Sequence, residues 1–189
     1  MKQLTFLFTL VATLIIIAGC GPSSKKYTLG ERKQMIDNMA ANTLQRLYAE
    51  EGSTKQDINN AAGYGVFSNA NVNVIFVSGG GGYGVVVDRA GRKTYMKMAL
   101  GGIGLGIGAK DYRQVLIFRD ENTLQNFVDK GWEFGGHADA AAKAGETGGE
   151  ASGEGDINDD ITVYSMTETG LALQATVTGS KYWKDKELN

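Results

Sequence analysis

The clearest hydrophobic periodicity in the chain is helical and runs from Thr28 to Glu51. Apolar residues recur there at three- and four-residue spacing, at Met35, Ile36, Met39, Ala40, Leu44, Leu47 and Tyr48. Thr28 followed three residues later by Glu31 forms a capping-box pattern, which marks a helix start. The pattern predicts an amphipathic helix. Its mixed acidic and basic polar side favours packing on the protein's own sheet over lying on a membrane.

Two shorter helices are predicted, one from Ser53 and one from Asp120 to Lys130, which ends at Gly131. After Gly63 the pattern changes to short runs rich in Val, Ile, Phe and Tyr, which is typical of strands. The runs are GYGVFS, VNVIFVS, YGVVVD, KTYMKMAL and YRQVLIF, and ITVYSMT with LALQATVT forms a closing hairpin. We predict an α+β fold: a β-rich, mostly antiparallel sheet with the N-terminal amphipathic helix and the short helices packed on it.

Glycine alternates with aliphatic residues in ALGGIGLGIGAKDY, residues 99–112. A period of two is strand geometry, so we predict one strand with the glycines at 102, 104, 106 and 108 on the same face. Each interior glycine costs about 0.5–1 kcal/mol relative to alanine. Four glycines in register therefore indicate that another element approaches this face closely.

Sequence signals for catalysis and for cofactor binding are weak. Gly79, Gly81 and Gly84 match the dinucleotide-binding pattern, but a strand follows them where the pyrophosphate needs a helix N-terminus. His137 is the sole histidine and Cys20 the sole cysteine, so the chain lacks a zinc-ligand cluster. No serine lies in a nucleophile elbow. We predict no enzymatic activity, no catalytic residues, no metal and no cofactor.

The N-terminus has the pattern of an export signal. One positive charge precedes an uncharged stretch from Leu4 to Ile17, which is shorter than the roughly 20 residues of a membrane-spanning helix. The stretch ends in IAGC, which resembles the lipobox of bacterial lipoproteins. That resemblance implies cleavage after Gly19 and attachment of diacylglycerol and further acyl chains such as palmitate to Cys20. Gly21, in place of an aspartate, points to the outer membrane, with the protein facing the periplasm.

These features divide the chain into three parts. Residues 1–19 are a signal peptide, residues 20–27 a lipidated tether, and residues 28–189 a single domain. Within that domain, residues 140–160 are rich in glycine and acidic side chains and have almost nothing to bury. We therefore expect a flexible loop there.

Charge is segregated along the mature domain. Removing Lys2 with the leader changes the net charge from −2 to −3, which excludes a generally basic nucleic-acid binder. Between residues 89 and 119, seven basic residues accompany one acid, whereas eleven acids accompany two lysines between residues 120 and 160. A positive side can attract anionic lipid headgroups, and a solvated face without a partner is equally compatible with the pattern.

Three stretches of the chain carry a family resemblance. They are GYGVFSNANVNVIFVSGGGGYGVVVD, TYMKMALGGIGLGIGAKDYRQVLIFRDENTLQNFVDKGWEFG and VYSMTETGLALQATVTGSKY. Together they resemble the SYLF domain family in its bacterial lipoprotein branch, from about Ala61 to Gly135 and from Val163 to Tyr182. The resemblance implies lipid association and brings no catalytic residues. Eukaryotic relatives bind phosphoinositides, and some contact actin filaments. The long acidic glycine loop departs from the family pattern.

The sequence thus predicts an envelope protein that is anchored in the membrane through acylated Cys20 and binds anionic phospholipid. Candidate headgroup ligands are the basic residues at and near the turn DRAGR: Arg89, Arg92, Lys93, Lys97, Lys110 and Arg113. Each contributes about 1 kcal/mol near an anionic surface. The alternative is a structural or partner-binding lipoprotein in which lipid enters only as the covalent anchor. The identity of any protein partner stays open.

Overall fold

A computed structural model describes residues 26–75, 77–102, 106–134, 154–158, 160–167, 170–171 and 178–189. The predicted signal peptide, Gly19, Cys20 and His137 lie outside these residues. The first helix, α1, spans Leu29–Glu50. It begins at the predicted capping box: the Glu31 amide donates to the Thr28 hydroxyl, and the Glu31 carboxylate accepts from the Thr28 amide at 2.8 Å. The sequence-predicted helix is therefore confirmed at both ends.

Two shorter helices complete the helical part of the described chain. Helix α2 spans Thr54–Asn60, and α3 spans Glu121–Lys130. The Asp120 carboxylate accepts from the Thr123 amide at 2.9 Å and so caps α3. Gly131 ends α3 with a φ of 73°, and a Cβ there would overlap the Tyr182 carbonyl oxygen. Glycine is thus required at this position both by backbone conformation and by a close approach.

The strands form one antiparallel sheet. Their bounds are β1 Gly63–Ile75, β2 Val77–Asp88, β3 Lys93–Gly102, β4 Gly106–Phe118, β5 Trp132–Phe134, β6 Glu154–Asn158, β7 Ile161–Thr167, β8 Gly170–Leu171 and β9 Thr178–Lys184. The strand order is β5-β9-β3-β2-β1-β4-β7-β6, and β8 pairs with β7. The fold class predicted from sequence, α+β with a mostly antiparallel sheet, is confirmed.

The sheet curls so that distant strands meet on one face. Three strands separate β9 from β4, a distance of about 19 Å in a flat sheet. Nevertheless, the Tyr182 hydroxyl on β9 donates to the Gln114 side-chain oxygen on β4 at 2.8 Å. Tyr182 also contacts Phe67 on β1, with ring centroids 4.8 Å apart. We call this concave side the inner face and the opposite side the outer face.

Each face buries its own core. The inner face presents Phe67, Val86, Met96, Met98, Leu116, Phe118, Ile161, Val163 and Tyr182 to Leu124 and Phe127 of α3. The outer face presents Val66, Val85, Tyr95, Val115, Ile117, Tyr164 and Met166 to α1 and α2. The described core residues all lie between Ile36 and Leu188.

Two local predictions are wrong, and a third is contradicted only in its last residues. The first chain reversal falls inside the run VNVIFVS, where Val74 pairs with Val77, so GYGVFS and most of VNVIFVS form one strand. The stretch at residues 99–112 is divided between two strands, because β3 ends at Gly102 and β4 begins at Gly106. Strands β2 and β1 lie between them in the sheet. The predicted acidic loop contains strand β6 at its end, and residues 135–153 lie outside the described part.

Close packing against glycine is observed in β2. A Cβ on Gly84 would overlap the Val66 carbonyl oxygen and the Phe67 ring. A Cβ on Gly82 would overlap the Ser68 carbonyl oxygen and lie 2.8 Å from Met98 Cγ. The inner face thus accommodates the Phe67 ring because its neighbouring strand carries no side chain at these positions.

The last residues of the chain bind both β3 and α1 on the outer face. The Asn189 side chain accepts from the Tyr95 amide at 3.0 Å and donates to the Tyr95 carbonyl at 2.8 Å, as a neighbouring strand would. Asp185 and Glu187 lie 3.5 and 2.8 Å from the guanidinium of Arg32, which is buried in the first turns of α1. Among the helices that the structure describes, none has the length and apolar character needed to cross a membrane.

Candidate functional site

The predicted basic turn joins β2 to β3 as expected. The Gly91 amide donates to the Asp88 carbonyl at 2.9 Å, and Gly91 adopts a φ of 80°. The Arg92 side chain points back to Asp88, with 2.6 Å between Arg92 Nε and Asp88 Oδ2. Burial alone would raise the pKa of Asp88, but hydrogen bonds from the Arg92 amide and guanidinium outweigh it and lower the pKa. Arg92 is three-quarters exposed, yet it is ion-paired within its own turn.

Arg89 has a structural partner at the end of α2. Its guanidinium donates to the Asn60 carbonyl at 2.8 Å and to the Ala61 carbonyl at 3.0 and 3.2 Å. Its backbone amide donates to the Ala62 carbonyl at 2.9 Å. A cation suits a helix C-terminus because the final carbonyls there have no intrahelical partner. Arg89 therefore holds α2 against the turn.

The two lysines of β3 pair with acids on the outer face. Lys93 Nζ lies 2.8 Å from Asp37 of α1, and this hydrogen bond raises the pKa of Lys93. Lys97 Nζ lies 3.4 Å from the buried carboxylate of Asp185. Four of the six candidate cations therefore form salt bridges or hydrogen bonds within the protein. Whether any of them contacts a headgroup stays a prediction.

The remaining two candidates lie on β4. Lys110 pairs with Asn71 in the β1–β4 backbone ladder, and its side chain lies outside the described part. Arg113 is half-buried on the outer face, level with Ser68 of β1 and Tyr83 of β2. In the described part of the chain, no carboxylate forms a salt bridge with Arg113. Its guanidinium instead lines a groove under α1.

This groove lies between α1 and the outer face and measures about 420 Å³. Its lining consists of Met35, Asn38, Met39, Asn42, Thr43, Arg46, Tyr83 and Arg113. Pockets that hold small molecules typically measure about 300–1,000 Å³. The volume therefore suits a group the size of a lipid headgroup. We call this cavity the α1 groove.

The electrostatic character of the α1 groove is positive. Among the residues that the structure describes, its lining contains two arginines and no carboxylate. The guanidinium of Arg46 lies 3.7 Å from Glu50, in a pair that is substantially exposed and therefore weak. The Thr43 hydroxyl donates to the Met39 carbonyl at 2.8 Å, so its hydrogen is already committed. The groove can thus accept an anion that also has hydroxyl groups and a short apolar part.

A second cavity, of about 320 Å³, lies between α2, β4 and β7. Asp57 and Arg119 contribute opposite charges to its lining, and the Arg119 guanidinium donates to the Thr162 hydroxyl at 2.7 Å. An anion would meet a like charge there. Within the described ranges, no group of three or more His, Cys, Asp and Glu side chains is placed to hold a metal ion.

The sequence named Arg113 as a candidate but did not indicate the residues of α1 that line the same groove. Asn38, Asn42 and Arg46 recur every four residues, which places them in one row along a helix. This spacing was available in the sequence. Only the structure shows that this row borders Arg113 and Tyr83, while Asn38 and Asn42 stay exposed to solvent.

Comparison with known proteins agrees with this architecture. The family model described as Ysc84, Las17-binding protein actin regulator, matches residues 99–189. A curated relative, Beta cell expansion factor A from Aeromonas veronii, is 38% identical over 164 residues, which cover 85% of this chain. The match covers 60% of the length of that relative. The assignment to the lipoprotein branch stays a prediction, whereas the resemblance read from the sequence is confirmed: the chain belongs to the SYLF domain family.

Proposed function

We propose that the protein is a lipid-anchored, non-catalytic component of the bacterial cell envelope whose SYLF domain binds anionic phospholipid. Acyl chains on Cys20 hold it in the outer membrane, facing the periplasm. Family membership supports lipid binding in general. The single observation that favours an anionic lipid is the lining of the α1 groove, because the described residues of that lining include two arginines and no carboxylate.

The proposed anchor would keep the groove near the membrane. Eight residues, 21–28, separate Cys20 from α1, and a chain of that length spans at most about 28 Å. The first turn of α1 would therefore stay within that distance of the bilayer surface. Tethering at such short range raises the effective concentration of headgroups at the groove, so a modest intrinsic affinity is sufficient.

The energetics suit reversible headgroup binding. Each basic side chain near an anionic membrane contributes about 1 kcal/mol, so Arg46 and Arg113 together would favour an anionic over a neutral vesicle by roughly 2 kcal/mol. Met35 is 39% exposed and offers an apolar wall beside these cations. Because the Debye length is about 10 Å at 0.1 M salt, binding should weaken as salt is added.

Vesicle co-sedimentation of the soluble domain, residues 23–189, tests the proposal. We expect stronger binding to vesicles that contain phosphatidylglycerol than to phosphatidylcholine alone, and Arg113→Gln should weaken it about fivefold. Arg92→Gln removes the same charge from the turn between β2 and β3. The loss of vesicle binding in the two variants shows whether the α1 groove or the turn predicted from sequence contributes more. Binding to anionic vesicles that is no greater than binding to neutral vesicles at moderate salt would refute the proposed binding of anionic phospholipid. Mass spectrometry of the mature N-terminus tests the anchor, and an unmodified Cys20 would refute it.

The alternative, a partner-binding envelope lipoprotein, is favoured by one observation. The cations of the turn are occupied by Asp88, Asp37 and the end of α2, so the turn offers little free charge to a membrane. In that case the domain would bind a protein or an envelope polymer. The same co-sedimentation assay discriminates the two functions, because the alternative predicts no preference for anionic vesicles.

A further inference from the structure

Strand β3 extends three residues past the end of its neighbour β9. The ladder between them begins where Met96 pairs with Lys184, whereas β3 itself begins at Lys93. The Asp185 amide donates to the Tyr95 carbonyl at 3.0 Å, so the backbone groups of Tyr95 face the side of β9. Because backbone groups alternate in direction along a strand, those of Lys93 face the same side. The first residues of β3 therefore form a sheet edge to which another strand can be added.

Residues 185–189, which we call the covering segment, occupy this edge without forming a strand. They turn back on themselves, with the Leu188 amide donating to the Asp185 carbonyl at 3.3 Å. The Asn189 side chain accepts from the Tyr95 amide at 3.0 Å and donates to the Tyr95 carbonyl at 2.8 Å. A carboxamide has the same donor and acceptor as a peptide group. Asn189 therefore takes the position that the backbone of an added strand would take.

The covering segment also supplies carboxylates to two cations of the outer face. The Glu187 carboxylate lies 2.8 Å from the Arg32 guanidinium, and the Asp185 carboxylate lies 3.5 Å from Arg32 and 3.4 Å from Lys97 Nζ. Arg32 is only 5% exposed, yet within the described part of the chain its Nε has no hydrogen-bond partner. A guanidinium binds a carboxylate best through two parallel N–H bonds. The covering segment thus neutralises Arg32 without using all of its donors.

We propose that the covering segment occupies a docking site for an extended acidic peptide segment of another protein. The backbone of that peptide replaces the Asn189 carboxamide at Tyr95 and continues along the edge to Lys93. Main-chain hydrogen bonds then supply the affinity, as they do where other sheet edges accept a strand. The proposal goes beyond lipid binding and is independent of it, because the site is the edge of β3 rather than the α1 groove.

Charge complementarity determines the kind of peptide that fits. When the covering segment leaves, Arg32 and Lys97 lose the carboxylates of Asp185 and Glu187. A buried cation without a partner is strongly destabilising, so the incoming peptide has to bring carboxylates of its own. One of these can engage the Nε donor of Arg32 that the covering segment leaves unused. An acidic segment therefore replaces the covering segment better than a neutral or basic one.

The first test measures exchange with a fluorescent peptide that has the sequence of residues 182–189. The chain from Cys20, without acyl groups, is titrated and anisotropy is recorded. Asn189→Ala weakens the covering segment, so we expect this variant to bind the peptide about fivefold more tightly than the wild type, the effect of one net hydrogen bond. Asn189 is exposed, and circular dichroism checks that the fold is retained. Equal binding by the variant and the wild type would overturn the proposal.

A matched control excludes a general effect of losing an asparagine. Asn126→Ala makes the same change on the exposed side of α3 and should bind the peptide as the wild type does. If Asn126→Ala bound the peptide as tightly as Asn189→Ala, the edge of β3 would not be the site.

A variant peptide tests the charge requirement without any change to the protein. It carries Asn in place of Asp185 and Gln in place of Glu187, so it keeps the backbone and loses both carboxylates. We expect it to bind the Asn189→Ala chain about tenfold more weakly, because hydrogen bonds to charged groups are the stronger ones. Equal affinity of the two peptides would contradict an acidic ligand.

Hydrogen exchange locates the peptide on the protein. Added to the Asn189→Ala chain, the acidic peptide should slow exchange of the Lys93 amide about tenfold, because that amide gains a partner on the edge. Binding that leaves the Lys93 amide unprotected would rule out strand addition at β3.

Two further measurements identify the occupant and separate this proposal from lipid binding. We expect the wild type and Asn189→Ala to sediment as monomers. A dimer of Asn189→Ala that the peptide dissociates would instead show that the site takes a second copy of this chain, which overturns the choice of partner. Asn189→Ala should also bind phosphatidylglycerol vesicles as the wild type does. A selective loss of vesicle binding in this variant would contradict the independence of the two sites.

Discussion

The two faces of the sheet are built from the same strands but serve different purposes. The inner face is closed by aromatic rings, with Phe127 contacting Phe67, Phe118 and Tyr182 at centroid distances of 5.0–6.2 Å. The outer face is covered by α1, which leaves a polar groove at Arg113. The difference indicates that the inner face is a closed core, whereas the outer face leaves a groove whose described lining includes two arginines. Substitutions on the inner face should therefore change unfolding, and substitutions in the groove should change binding.

The largest effect is expected from Phe127→Ala. This ring is fully buried at the centre of the inner core, and removing a buried phenylalanine typically costs about 3–5 kcal/mol. Urea denaturation monitored by circular dichroism measures the loss. A cost below about 1 kcal/mol would show that the inner face is not the stabilising core, and the contrast between the faces would fail.

Gly84→Ala should have the next largest effect. The added methyl would overlap the Val66 carbonyl oxygen and the Phe67 ring, and overpacking of this kind costs about 1–3 kcal/mol. Gly30→Ala is the matched control, because no atom lies within 4 Å of the added carbon and α1 would gain a better helix former. We expect the unfolding midpoint to fall for Gly84→Ala and to rise slightly for Gly30→Ala. A neutral Gly84→Ala would mean that the inner face is loosely packed.

Tyr182→Phe should cost about 0.5–1.5 kcal/mol, because it removes the hydrogen bond that the phenol donates to the Gln114 oxygen. Burial raises the pKa of the Tyr182 phenol, so its hydroxyl keeps the proton that it donates. Chemical denaturation again provides the measurement. Unchanged stability together with unchanged vesicle binding would indicate that the curl does not depend on this hydrogen bond.

The smallest effect concerns pH and lies on the outer face. Hydrogen bonds from Thr28 lower the pKa of Glu31 below its ordinary 4.5 in the folded chain. The capping box therefore stabilises the fold above about pH 4.5, and this contribution is lost as the pH falls through the lowered pKa. Glu31→Gln keeps a capping side chain that cannot titrate. We expect a shallower loss of unfolding free energy on acidification for this variant, and identical slopes would contradict the prediction.

The sequence predicted those helices and strands whose signals lie within a few neighbouring residues. The helix that begins at Thr28 and the one that begins at Asp120 were predicted because capping residues and periodicity lie within a few positions of each other. The reversal at Val74–Val77 was missed because it carries no turn residue and interrupts an apolar run. Gly79–Gly82 suggested a break in the chain, yet they lie within β2.

The candidate site was less predictable because it joins residues that are distant in the sequence. Arg113 was predicted only as one of six headgroup candidates near the turn, and tertiary structure alone places it in the same groove as Arg46. Charge counting also treated Arg89 and Lys93 as available, although one ends a helix and the other pairs with Asp37. A cation's partner cannot be inferred from its neighbours in the chain when the partner lies on another element.

The position of β9 beside β3 has a consequence for how the protein folds. Their paired residues, such as Ala99 and Lys181, are separated by about 80 positions in the sequence. Closing so long a loop costs entropy before the contacts are gained, and sheets built from such pairs fold in milliseconds to seconds rather than microseconds. Until β9 arrives, the inner core lacks Tyr182 and the β3 edge is open. The chain therefore folds more slowly than a helical protein of the same length, and the β3 edge stays available to other strands until β9 pairs with it.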